Sequence, residues 1–126
     1  MNQWMALAFE CGKKSIGISR PNPAVGAVVV KNGTVCATGQ TQSPGKAHAE
    51  VMALQTAAEN AKGADLYVTL EPCCHYGRTP PCTQAIIDAG IKRVFFAHSD
   101  PNPKVQGNSR KILEAAGIEV YEGLEA

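Results

Sequence analysis

A mixed α/β domain, with helices on both faces of one five-stranded sheet, is the fold class this sequence predicts. Three observations carry it. From residue 48 onward, short apolar, β-branched runs alternate with helical patterns, as expected of parallel strands joined by helical crossovers. Asn32-Gly33 stands between two strand-like runs, the signal of a tight antiparallel hairpin. The 126 residues, 44% of them hydrophobic, suit one compact domain with one core and no linker.

Taken in order, Trp4, Leu7, Ala8 and Cys11 fall on one face of a short amphipathic helix ending near Gly12. A loop runs from Ser15 to Pro23. Ala24 to Val30 is apolar and β-branched, Lys31-Asn32-Gly33 turns the chain, and Thr34 to Thr38 returns as a second strand. After a polar stretch from Gly39 to Lys46, His48 to Lys62 is rich in Ala, Glu, Leu and Met and reads as a helix stopped at Gly63. This puts His48 and Glu50 in its first turn. Leu66 to Leu70 is a strand, Pro81 to Ala89 a helix stopped by Gly90, and Ile91 to Ala97 another strand. Asp100-Pro101-Asn102-Pro103 is a turn-rich loop. Ser109 to Ala116 then forms a last helix stopped at Gly117, and Ile118 to Tyr121 a last strand. The order αββαβαβαβ pairs the late strands in parallel and leaves the early hairpin antiparallel. There is no internal repeat and no low-complexity segment.

Charge and cysteine usage narrow the function classes. A formal charge of +1 and 6% aromatics lack the basic grooves and stacking rings of a nucleic-acid channel, so a small-molecule partner is expected and no nucleic acid. No apolar run approaches the roughly 20 residues of a membrane span. Met1-Asn2-Gln3-Trp4 has no signal-peptide character, so no membrane partner and a cytoplasmic location are expected. Five cysteines, Cys11, Cys36, Cys73, Cys74 and Cys82, make an odd set for a reducing compartment, which favours metal binding over a disulfide framework. Cys11 and Cys36 read as small buried hydrophobes. Cys74, beside Cys73, reads as packing or support for the ligands, because adjacent side chains diverge too far to share one tetrahedral site.

The chemistry concentrates at two strand-to-helix junctions, where ligands usually sit in open α/β sheets. His48-Ala49-Glu50 opens one helix, and the run from Glu71-Pro72-Cys73 to Cys82 leads into the next. His48, Cys73 and Cys82 supply one imidazole and two thiolates, a donor set suited to one Zn2+ per chain, with the fourth position open to water. Helix N-termini favour negative charge on both sulfurs. Glu50, two residues from His48, points elsewhere and is free to carry protons as the catalytic residue. Water activated at such a site is available as hydroxide near neutral pH.

These segments resemble the cytidine deaminase-like superfamily, and within it the deaminase domain of the bifunctional riboflavin-biosynthesis deaminase/reductases. The resemblance is carried by Pro21-Asn22-Pro23-Ala24-Val25-Gly26, His48-Ala49-Glu50, the Glu71 to Cys82 run, and Asp100-Pro101-Asn102-Pro103-Lys104-Val105-Gln106-Gly107. Eight residues separate Cys73 from Cys82, whereas nucleic-acid deaminases of the superfamily place two between their cysteines. The resemblance implies a three-layer α/β/α fold and hydrolytic deamination of 2,5-diamino-6-(ribosylamino)-4(3H)-pyrimidinone 5′-phosphate at its 2-amino group, with a homo-oligomer of at least two chains. Under it, Asn22 and Asn102 offer amide edges to the ring, His75 and Arg78 face the ribose or phosphate, and Asp100 accepts from an amino or hydroxyl group. The local alternative is that Asn22, Asn102 and Asp100 only shape turns.

Two departures from the family pattern stand out. Asn108-Ser109-Arg110 replaces a small basic-then-Gly pattern, and the sequence ends at Ala126 where the family continues into a reductase. Residues 1–126 are therefore expected to act as a single deaminase domain without reductase activity. Two rivals remain: a deaminase of another base or nucleoside, and a non-catalytic zinc module, against which Glu50 and the open fourth position argue.

Overall fold

The computed structural model describes residues 2–17, 24–41, 48–70, 72, 82–98 and 108–123. Helix α1 (Gln3–Lys13) opens the chain, capped by Asn2, whose side chain accepts from the Trp4 and Met5 amides at 2.9 and 3.0 Å. Its buried stripe is Met5, Ala8, Cys11 and Gly12, with Trp4 and Leu7 only partly buried. That stripe is rotated from the expected one because α1 lies almost on the backbone of the first strand: a Cβ built on Gly26 would stand 1.7 Å from the Ala8 carbonyl oxygen.

Strands β1 (Gly26–Lys31) and β2 (Thr34–Gln40) form the expected hairpin. Asn32 and Gly33 both take positive φ, 53° and 75°, as a type I′ turn requires. Val29 faces Ala37 but Val30 faces Val35, so Cys36 is the extra residue of a bulge. This leaves Cys36 half-buried where full burial was expected, while Cys11 is buried as expected.

Helix α2 (Ala49–Ala57) begins one residue later than expected and ends earlier, passing into a 3-10 turn over Ala58–Ala61. Its C-cap, Ala58, takes φ 51° and ψ −124°. Ala57, Ala61 and Ala64 all reach the core. Strand β3 (Asp65–Leu70), helix α3 (Cys82–Ala89), strand β4 (Arg93–His98), helix α4 (Asn108–Ala115) and strand β5 (Glu119–Glu122) complete the order, each within two residues of its expected bounds.

The sheet order is β2-β1-β3-β4-β5. β1 is antiparallel to both β2 and β3, and the β3–β4 and β4–β5 pairs are parallel. Strand alternation sorts the core into two layers. Ala27, Val29, Leu66, Val68, Val94 and Phe96 pack with side chains of α2, α3 and α4, among them Ala53, Ile86 and Leu113. Val28, Val30, Tyr67 and Ala97 face α1. Helices therefore cover both faces, as the sequence predicts. No helix among the described residues is long and apolar enough to cross a membrane.

Candidate metal and proton-transfer site

The start of β1, the end of β2 and the ends of β3 and β4 meet at one edge of the sheet, through the pairs Gly26 with Gln40, Ala27 with Val68 and Leu70 with His98. Hydroxyl groups fasten the backbone there. The Val25 amide donates to Thr41 Oγ1 at 2.8 Å and the Gly26 amide to Thr69 Oγ1 at 3.2 Å. The Thr41 amide donates to the Val25 carbonyl at 2.9 Å, and Ser15 Oγ donates to the Thr41 carbonyl. Ser15, Thr41 and Thr69 are all buried. Their hydroxyls satisfy backbone groups that would otherwise be costly to bury.

His48 is the residue before α2, in extended backbone (φ −71°, ψ 163°) rather than within the first turn. Its carbonyl accepts the Met52 amide at 2.9 Å and so starts the helix, while its ring makes no cap hydrogen bond. The ring instead reaches α3: His48 Nδ1 lies 3.1 Å from Cys82 Sγ. Cys82, the first residue of α3, is fully buried. Glu50, the second residue of α2 and two residues from His48, is buried at 5% exposure. No buried side-chain nitrogen or oxygen among the described residues lacks a hydrogen-bond partner.

Two helix N-termini thus bring an imidazole nitrogen and a thiol sulfur together across 34 residues of sequence. Bond lengths of about 2.0–2.1 Å to nitrogen and about 2.3 Å to sulfur, at a tetrahedral angle, set two zinc donors about 3.5 Å apart. The observed pair is close to that spacing, and its chemistry is that of a zinc donor set. Among the described residues no third His, Cys, Asp or Glu completes a cluster. Cys73, together with Cys74, Asn22, His75, Arg78, Asp100 and Asn102, lies outside the described residues.

A further feature of the site was not readable from the sequence. Gly39 of β2 lies against the first turn of α2, where a Cβ would stand 2.2 Å from the Ala49 carbonyl oxygen. Ala49 separates His48 from Glu50. The polar stretch beginning at Gly39 looks like loop, and only the packing of strand against helix gives this glycine its place.

Comparison with known proteins matches residues 1–98 to the family described as the cytidine and deoxycytidylate deaminase zinc-binding region. The chain belongs to that deaminase family. Within it, the chain is 58% identical over 121 residues to the riboflavin biosynthesis protein RibD of Aquifex aeolicus, covering 96% of this chain and 34% of that relative. It is 47% identical to a diaminohydroxyphosphoribosylamino-pyrimidine deaminase of Buchnera aphidicola, covering 96% of this chain and 82% of that deaminase. Among solved structures, Acinetobacter baumannii RibD superposes with a TM-score of 0.93 at 50% identity, over 95% of this chain and 34% of that one. The chain therefore spans about a third of the length of the RibD relatives and most of the length of the Buchnera deaminase. The α/β architecture is that of the deaminase family.

Proposed function

We propose that residues 1–126 form a single zinc-dependent domain that hydrolyses the 2-amino group of 2,5-diamino-6-(ribosylamino)-4(3H)-pyrimidinone 5′-phosphate and releases ammonia in riboflavin biosynthesis. The observation that carries the reading is the 3.1 Å approach of His48 Nδ1 to Cys82 Sγ, with Glu50 buried two residues from the histidine. The names of the RibD and Buchnera relatives support the substrate class. A cytoplasmic location, an assembly of at least two copies and the absence of a nucleic-acid partner belong to the same reading.

In this proposal His48, Cys73 and Cys82 hold one Zn2+, whose Lewis acidity supplies activated water at neutral pH. Glu50 takes a proton from the attacking water as the new C–O bond forms, and passes it to the ring nitrogen beside the attacked carbon. Its carboxylate then takes the remaining hydroxyl proton and delivers it to the amine. The C–N bond breaks, a carbonyl is left on the ring, ammonia departs and Glu50 returns to its starting charge. Burial of Glu50 keeps the carried proton from leaking to bulk water. Asn22, His75, Arg78, Asp100 and Asn102 are proposed to hold the ring, ribose and phosphate, on segments that adjoin the described site edge in sequence.

The test is ammonia release from the zinc-loaded protein with the diaminopyrimidinone ribotide, beside cytidine. Release from the ribotide is expected, with Glu50→Gln slowing it by about 100-fold or more while zinc content stays at one per chain. Release from cytidine alone overturns the substrate, and release from neither overturns the activity.

A further inference from the structure

We propose that Gly39 is a positioning residue of this site: its lack of a side chain lets the first turn of α2 lie on β2 closely enough to bring His48 and Glu50 to Cys82. The proposal rests on the reading above, in which His48 and Cys82 hold the metal and Glu50 carries the proton.

The constraint is steric. A Cβ on Gly39 would stand 2.2 Å from the Ala49 carbonyl oxygen, 2.8 Å from the Ala53 nitrogen and 3.2 Å from the Ala49 carbonyl carbon. All three atoms are α2 backbone, so no side-chain rotation relieves the overlap, and the helix must retreat by roughly 1 Å to restore ordinary contact. Gly39 is not among the glycines with positive φ, so its backbone conformation alone does not call for glycine. A glycine inside a strand weakens it relative to alanine, and a close approach of another backbone is the usual reason for one. The atom met first belongs to Ala49, so retreat of the turn carries His48 and Glu50 with it. Cys82 belongs to α3, which follows β3 rather than β2. Displacing α2 therefore opens the 3.1 Å approach between the two donors. Gly26 makes the same kind of contact on the opposite face, against Ala8 of α1, a helix that carries no donor.

The test uses cobalt(II) in place of zinc, on the full chain, with Gly39→Ala compared against Leu113→Ala. Leu113 is fully buried on α4, a helix that carries no donor, and its truncation lowers stability without adding bulk beneath the first turn of α2. The wild type is expected to give the thiolate-to-cobalt charge-transfer band of a tetrahedral site. Gly39→Ala is expected to bind cobalt and zinc about 10- to 100-fold more weakly, with an altered d–d spectrum and kcat lowered about 100-fold. Leu113→Ala is expected to keep wild-type affinity and spectrum. A folded Gly39→Ala protein with wild-type affinity and spectrum overturns the proposal. If the variant does not fold, the measurement is repeated with Ala58→Gly added, a change expected to restore stability at the far end of α2. A double variant that still does not fold makes Gly39 a requirement of the fold alone, which also overturns the proposal. A wild type lacking the thiolate band removes the metal reading itself, an outcome seen before any variant is compared.

Discussion

Ala58 carries a backbone conformation that suits glycine. Apart from Asn32 in the hairpin turn, it is the one non-glycine among the described residues with positive φ, and L side chains at such angles cost of order 1–3 kcal/mol. Ala58→Gly is expected to raise the free energy of unfolding by about 1 kcal/mol, because the relieved strain exceeds the added freedom of the unfolded chain. Urea unfolding checks this, and an unchanged or lower midpoint would mean that the strain is absent. No local signal marks the break. Thr56-Ala57-Ala58-Glu59-Asn60-Ala61 reads as continuous helix by propensity, yet the chain passes into the 3-10 turn at Ala58. The site residues divide in the same way. His48, Glu50 and Cys82 announce themselves through chemistry and spacing, whereas Gly39 has no chemistry to announce and gains its role from the helix laid against it.

Among the elements, the hairpin is the most fully written into its residues, since Asn32 and Gly33 both have the positive φ that their types accept. Gly33→Val, which puts a β-branched side chain at φ 75°, is expected to cost about 1–3 kcal/mol. Thermal unfolding would report that loss, and ammonia release per folded molecule should hold, because the turn lies at the end of β1 away from Gly26 and the site. A variant as stable as the wild type would argue against the type I′ turn. Element ends were legible where glycine stops a helix, as at Gly90 and Gly117, both with positive φ. The bulge at Cys36 was not legible, because an extra residue is defined only against the partner strand. The rotation of α1 was hidden for a similar reason: Trp4 and Leu7 are more hydrophobic than Ala8 and Gly12, yet close approach to Gly26 favours the small residues.

For the whole molecule, the sequence implied a mixed sheet but not its order, because placing β1 between β2 and β3 depends on contacts distant in sequence. That order sets a row of rings across three strands: Tyr67 stacks on Phe95 at 4.6 Å between centroids, and Phe95 on Tyr121 at 5.0 Å. Both phenols lie above the ordinary tyrosine pKa. Burial, then the charge of Asp65, raises that of Tyr67, while the hydrogen bond to Glu119, at 2.8 Å, raises that of Tyr121. The folded state therefore holds these protons more tightly than the unfolded chain does. The resulting stability is complete below about pH 10, the unfolded value, and is lost as pH rises through the raised folded values. Tyr67→Phe is expected to flatten the fall in melting temperature above pH 10, and a slope equal to that of the wild type would assign the fall to other groups. The strand order also sets a sequence of events in time. His48 follows β2 and Cys82 follows β3, yet these strands are not neighbours, since β1 is paired between them. A β-hairpin closes within about 1–10 μs, but β1 and β2 alone cannot bring the second donor near the first. Formation of the His48–Cys82 pair must wait for β3 to dock, so under the proposed zinc reading the rate at which an unfolding-and-refolding chain captures metal would be a clock for the late, long-range step of assembly rather than for the early turn.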